Sequence, residues 1–228
     1  METTSQMIEF SCDGERVPGF LAHPVAAGKY PGVIVIQEWW GLVAHIKDVA
    51  ERLAGEGFVT LAPDLYHGQA AGEPDEARKL AMALDRERAV KECSAAGAHL
   101  AFFENVLPKK VGVVGWCMGG GLSLSTAAHN GVIGAAVCFY GRPLERDDAL
   151  RLRVPVLGLY GEEDKGIPLG LIQDFERHLI ETKVTHQIVV YPSAPHAFFN
   201  DTRPEAYRAE AAEDAWRRTI DWFRQHLI

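Results

Sequence analysis

The stretch Val111-Gly112-Val113-Val114-Gly115-Trp116-Cys117-Met118-Gly119-Gly120-Gly121 joins an apolar run of strand length to the glycine-rich opening of a helix. At its centre, Gly115-Trp116-Cys117-Met118-Gly119 matches the G-x-S-x-G turn, with cysteine where serine usually stands. Such a turn lifts its central side chain above a sheet in a strained backbone conformation, and flanking glycines let neighbouring backbone pass without a Cβ clash. It also places Cys117 at a helix N-terminus, where peptide dipoles favour an anion such as a thiolate. Dinucleotide and phosphate folds use glycine-rich strand-to-helix turns too. Here Gly112 and Gly115 do not supply G-x-G-x-x-G before the helix, no acidic residue ends the next strand, and no P-loop lysine follows.

Upstream, Met7 to Cys12 and Val17 to Ala22 flank the turn pair Asp13-Gly14, which predicts an antiparallel hairpin at a sheet edge. Gly32 to Ile36 is an apolar strand, and Ile46, Val49, Ala50 and Leu53 recur at helical spacing until Gly55 and Gly57. A strand from Phe58 to Ala62 and helical material from Glu76 to about Asn105 lead into the quoted stretch. Beyond it come a helix to Ala128, strands at Ala135 to Tyr140, Val154 to Tyr160 and Gln187 to Tyr191, a helix at Leu169 to Ile180, and a closing helix from about Pro204. In the closing helix, Tyr207, Trp216, Ile220 and Phe223 read as the face packed on the sheet. This alternation predicts an α/β class: a mostly parallel central sheet flanked by helices, with the hairpin as an antiparallel N-terminal addition. The 228 residues fit one domain spanning 1–228, without repeat, linker or low-complexity segment.

Chain order narrows the class. Gly161-Glu162-Glu163-Asp164 follows one late strand and Pro192-Ser193-Ala194-Pro195-His196 follows the next, so an elbow, an acid and a histidine succeed one another at strand ends, as in an α/β-hydrolase fold. Asp164 is the favoured acid by its place in the loop, with Glu162 and Glu163 as alternatives, and His196 is the candidate base for Cys117. The strand from Gly32 ends in Gln37-Glu38-Trp39-Trp40-Gly41, where oxyanion-hole loops run, so the Trp39 and Met118 amides are the candidate donors to an oxyanion. Glu38 reads either as part of that site or as a solvated charge at a strand end.

Hydrophobic residues make up 47% and charged residues 24%, which gives no ground for disorder or a fibrous repeat. The formal charge of -8 is spread along the chain, which argues against a nucleic-acid partner. Met1-Glu2-Thr3-Thr4-Ser5-Gln6 lacks the basic flank and apolar run of a signal peptide, and no apolar run approaches a membrane span. The expectation is a cytoplasmic protein with no membrane partner, a monomer or small homo-oligomer acting on a small molecule. Cys12, Cys93 and Cys138 are irregularly spaced and read as free thiols in the core. The nine histidines contain no H-E-x-x-H pair, and neither a metal nor an organic cofactor is expected.

Gln37-Glu38, Ala62-Pro63-Asp64-Leu65-Tyr66, Gly115 to Gly120, Phe139-Tyr140-Gly141, Gly161 to Asp164 and His196-Ala197-Phe198 together resemble the dienelactone hydrolase family, also called carboxymethylenebutenolidases, over nearly the whole chain. The resemblance implies a Cys117-His196-Asp164 triad, with Glu38 restraining the thiol at rest and helping to deprotonate it when substrate displaces the carboxylate. The reaction implied is hydrolysis of a small lactone or ester through a thioester. Family members hold a substrate carboxylate with two arginines, and here the matching positions differ. Pro74 lies near the first, with Arg78 one turn later, and Asn200 stands at the second, with Arg203 following. Arg78 and Arg203 are therefore the candidate carboxylate-binding cations, and Trp39, Trp40, Tyr140 and Phe198 the candidate pocket walls for small lactones or aryl esters. Two other classes compete: a non-catalytic small-ligand or partner-binding protein on the same fold, and a thiol redox sensor built on Cys117, for which no C-x-x-C partner exists.

Overall fold

The computed structural model describes residues 1–227. Its strands are β1 (Thr3–Cys12), β2 (Glu15–Pro24), β3 (Gly32–Ile36), β4 (Val59–Pro63), β5 (Val111–Trp116), β6 (Ile133–Phe139), β7 (Val156–Gly161) and β8 (His186–Tyr191). The helices are α1 (Ala44–Gly55), α2 (Pro74–Ala83), α3 (Arg86–Phe102), α4 (Met118–His129), α5 (Arg146–Ala149), α6 (Leu169–Thr182) and α7 (Ala209–Leu227). The strands form one eight-stranded sheet in the order β1-β2-β4-β3-β5-β6-β7-β8. β1 and β2 pair antiparallel from Thr3 opposite Pro24 to Cys12 opposite Glu15, and every pairing from β4 through β8 is parallel.

The period of two sorts the parallel strands between two cores. Val33 and Val35 of β3, with Val114 and Trp116 of β5, pack under α1 and α7, against Ile46, Val49, Ala215 and Phe223. Ile34, Ile36, Val111 and Val113 face the other side, against Cys93 and Leu100 of α3, Leu124 of α4 and Phe175 of α6. Strands covered on both faces are apolar throughout, which is why β3, β4, β5 and β7 read as unbroken hydrophobic runs.

The chain leaves β3 to one side to make β4 and returns to the other side to make β5. Its direction of winding reverses there, and a crevice opens beyond the carboxyl ends of β3 and β5, the usual ligand position in such sheets. Glu38 follows β3 and Cys117 follows β5, so both stand at that crevice.

Three expectations change in detail. The helical material after Glu76 is two helices, because Asp85 accepts hydrogen bonds from the Glu87 and Arg88 amides at 3.0 and 3.1 Å and starts α3 afresh. The closing helix begins at Ala209 and not near Pro204, since the Ala206 and Tyr207 amides both bond the Arg203 carbonyl in a turn and the Arg208 amide bonds that of Phe198. Residues 146–149 add a short helix with no strong pattern in the sequence.

Candidate active site

Cys117 links β5 to α4 with φ 56° and ψ -118°. A positive φ costs a non-glycine residue energy that its surroundings must supply. They do so through the Cys117 N–H, which donates to the Phe139 carbonyl at 3.0 Å, and through the Cys117 carbonyl, which accepts from Gly120 N–H at 3.1 Å. The glycines have specific reasons. A Cβ on Gly119 would lie 2.5 Å from the Ile36 carbonyl and nearer still to that of Gln37, and one on Gly115 would strike the Gly119 carbonyl. All four cysteines are free, but they are not equivalent. Burial pushes the Cys93 thiol up and the Cys138 thiol to about 12, whereas Cys117 is partly exposed at the head of α4.

Asp164 and His196 come from the loops after β7 and β8. His196 Nδ1 lies 2.6 Å from Asp164 Oδ2, and Asp164 Oδ1 accepts from the Gly166 and Ile167 amides at 2.8 and 3.1 Å. The Asp164 side chain is wholly buried and so held by three contacts. Glu162 turns to the Ser193 amide and Glu163 is exposed, so of the three acids in this loop only Asp164 meets His196. Burial disfavours the imidazolium of His196. Hydrogen bonds and attraction involving Asp164 and Cys117 outweigh that cost and raise the pKa from 6.5 to about 10.

Glu38, 2% exposed, accepts hydrogen bonds from Tyr140 Oη at 3.2 Å and Asn200 Nδ2 at 2.8 Å. Its partners are these two side chains and not the thiol. Asn200 is itself oriented, since its Oδ1 accepts from the Thr202 amide and hydroxyl at 3.0 and 2.6 Å. Burial, then the negative charges of Glu38 and Cys117, push the Tyr140 phenol well above its usual range, so it remains a donor. Tyr66 is a further member that the sequence reading did not single out. Its hydroxyl lies 3.1 Å from the Trp39 carbonyl, as donor, and 3.6 Å from Met118 Sδ. It therefore touches both residues whose amides are the oxyanion candidates. Asp64 fixes the turn that carries it, accepting from the Tyr66 amide at 3.2 Å and the Gly68 amide at 2.7 Å. Only the position of Tyr66 beside Asp64 hinted at this.

Cys117, His196, Trp39, Met118 and Tyr140 line one cavity of about 480 Å3. Its lining carries the cations Arg86 and Arg142, neither of them among the sequence candidates, and the acids Glu145 and Asp148. Arg86 opens α3 and has no acidic partner among the described residues, and Arg142 is 3.5 Å from Glu145. The sequence candidates lie elsewhere. Arg78 is exposed beside Asp75 at 3.2 Å, because it stands on the outer face of α2. Arg203 pairs with Glu205 at 2.8 Å and, with Trp40, lines a separate cavity. Phe198 is fully buried against Tyr191 and Tyr140, at ring separations of 5.0 and 5.4 Å, because the chain after His196 dives beneath the site. Among the described residues, no three His, Cys, Asp or Glu side chains gather as a metal site, and no helix is long and apolar enough to cross a membrane.

A mixed sheet flanked by helices, with a thiol elbow at its winding reversal and a carboxylate–histidine pair on the next loops, defines the class as an α/β hydrolase. Residues 17–227 match the dienelactone hydrolase family, and the chain belongs to it. Protein usf of Aquifex pyrophilus is 38% identical over 97% of this chain and 99% of its own. A protein of Aquifex aeolicus provisionally named carboxymethylenebutenolidase is 35% identical over the same shares. Among solved structures, the dienelactone hydrolase-like promiscuous phosphotriesterase P91 from metagenomic libraries superposes with a TM-score of 0.90 at 25% identity, over 99% of each chain. A provisionally named dienelactone hydrolase of Klebsiella pneumoniae gives 0.88 at 34% identity, over 99% of this chain and 100% of its own. The protein is thus a hydrolase of ester or lactone bonds.

Proposed function

We propose that the protein hydrolyses small esters or lactones with Cys117 as nucleophile, His196 as acid and base, and Asp164 as the group that orients His196. The observation that carries this reading is the cavity of about 480 Å3 that brings the Cys117 thiol, at a helix N-terminus, together with His196, bonded to Asp164 at 2.6 Å. His196 takes the proton of the Cys117 thiol to give a thiolate–imidazolium pair, in keeping with a histidine pKa raised to about 10. Cys117 Sγ adds to the carbonyl carbon, and the Trp39 and Met118 amides receive the oxyanion. Met118 is the first residue of α4, so by position its N–H has no intrahelical acceptor. Collapse breaks the bond to the alkoxy oxygen, which takes the proton from His196 Nε2 as it leaves. A thioester remains. The now neutral His196 removes a proton from water, the hydroxide adds to the thioester, and release of the carboxylic acid returns the thiolate–imidazolium pair.

Glu38, fixed by Tyr140 and Asn200, braces the wall of the cavity that Tyr140 lines. Glu145 and Asp148 line the same cavity and Arg142 is 3.5 Å from Glu145, so Arg86 is the cation left to favour a substrate with an anionic group away from the scissile bond. The deciding experiment is to incubate wild type and Cys117→Ala with p-nitrophenyl acetate and look for the acyl-enzyme by mass spectrometry. The expected result is an acetyl adduct on Cys117 with turnover, both absent in the variant. Turnover retained by Cys117→Ala would dismiss the thiol as nucleophile. Comparing an acetate ester with a hemisuccinate ester then tests that cation, with Arg86→Gln raising KM for the second ester only.

A further inference from the structure

Behind the turn that carries Glu38 lies a second cavity, of about 320 Å3, whose lining includes Trp40, Val43, His45, Asn200, Thr202 and Arg203. It shares no lining residue with the Cys117 cavity. The His45 side chain is only 3% exposed, and neither of its ring nitrogens makes a hydrogen bond. Nδ1 stands 3.4 Å from the Asp201 carboxylate, within ion-pair reach but without hydrogen-bonding geometry. A buried polar group left in this state is costly; both nitrogens are covered in this conformation, but the side chain they belong to lines the cavity, so a turn of the ring is what brings one of them to a ligand.

Arg203, on the same cavity, shows what chemistry fits. Its Nε and Nη2 both reach the one oxygen Glu205 Oε1, at 2.9 and 2.8 Å, so the guanidinium already engages a carboxylate through two N–H groups. Glu205 is two residues away and its side chain is 65% exposed, and an exposed local pair of this kind is easily exchanged for another carboxylate. The Trp40 ring lies 5.8 Å from the guanidinium carbon and, with Val43 and Ala71, supplies an apolar wall.

We propose that this cavity is a second binding site, for a small aromatic carboxylate of about the size of benzoate, given that ligand pockets start near 300 Å3. The carboxylate replaces Glu205 on Arg203 and takes a hydrogen bond from His45, and the ring lies against Trp40. Asn200, on the inner wall, also donates to Glu38, so the ligand sits one side chain away from the reaction centre.

The site stands apart from the hydrolytic reading, because binding can be measured on Cys117→Ala protein. Calorimetric titration of that protein with benzoate is expected to saturate. Arg203→Gln and His45→Phe should each weaken binding by about ten-fold or more, Glu205→Gln should tighten it, and Arg86→Gln should leave it unchanged. Arg203 is at the surface, so its variant serves even if His45→Phe fails to fold. Absence of saturable binding at tens of millimolar benzoate would overturn the proposal. So would loss of binding in Arg86→Gln with retention in Arg203→Gln, which would put benzoate in the Cys117 cavity, or saturable binding of inorganic phosphate without binding of benzoate.

Discussion

Replacing Asn200 by aspartate keeps the shape of the side chain and reverses its part in the site. The amide nitrogen that donates to Glu38 Oε2 at 2.8 Å becomes a carboxylate oxygen facing another, and both residues are only 2% exposed. At an effective dielectric constant of about 20, two unit charges at that separation repel by about 6 kcal/mol, falling to about 4 kcal/mol if the side chains part to about 4 Å. The lost charge-assisted hydrogen bond adds about 2 kcal/mol, and relaxation or proton uptake returns part of the total. A net loss of about 4 kcal/mol is a large share of the 5–15 kcal/mol typical of a domain. Urea unfolding followed by circular dichroism at about pH 8 measures it, and at about pH 5 the loss should shrink as the two carboxyl groups share a proton. Glu38→Gln in the same chain removes one charge and should restore most of the stability. The reasoning fails if Asn200→Asp costs the same at both pH values and the same in the Glu38→Gln background, because the cost would then be steric and not electrostatic.

The imidazole C–H resonances of His196 should titrate with a midpoint of about 10, and in Asp164→Asn at least about one unit lower; an unchanged midpoint would mean that Asp164 does not set it. Between about 6.5 and about 10 the folded protein holds a proton on His196 that the unfolded chain releases. Its contribution to stability is therefore complete below about 6.5 and lost as pH rises through about 10, and the slope of unfolding free energy against pH should flatten in His196→Gln. Tyr66→Phe frees the Trp39 carbonyl and Met118 Sδ, and should lower kcat about ten-fold with little change in KM, since the proposed oxyanion donors and not substrate contacts are disturbed; a change confined to KM would assign Tyr66 to binding. Gly119→Ala should destabilise the fold by about 3 kcal/mol in urea unfolding, because its Cβ meets the Ile36 and Gln37 carbonyls, which belong to rigid backbone.

What the sequence by itself determined has local causes. The elbow at Gly115 to Gly119 was legible because steric demand at each glycine is a matter of neighbouring backbone, and the strands because burial on both faces leaves a continuous apolar run. Cys117, Asp164 and His196 could be ordered because each strand end delivers its loop to one edge of the sheet. Helix ends were less legible, as at Asp85, whose capping bonds split a pattern that looked continuous. The tertiary structure decided which way the loop side chains point. Glu38 meets Tyr140 and Asn200 from 102 and 162 residues away, a pairing that no local spacing encodes. Arg86 and Arg142, and not Arg78 and Arg203, reach the Cys117 cavity, while Phe198 turns into the core. Those directions follow from how whole helices and loops settle on the sheet. The turn geometry of the elbow could thus be read residue by residue, whereas the walls and charges around it exist only once distant parts of the chain have packed together.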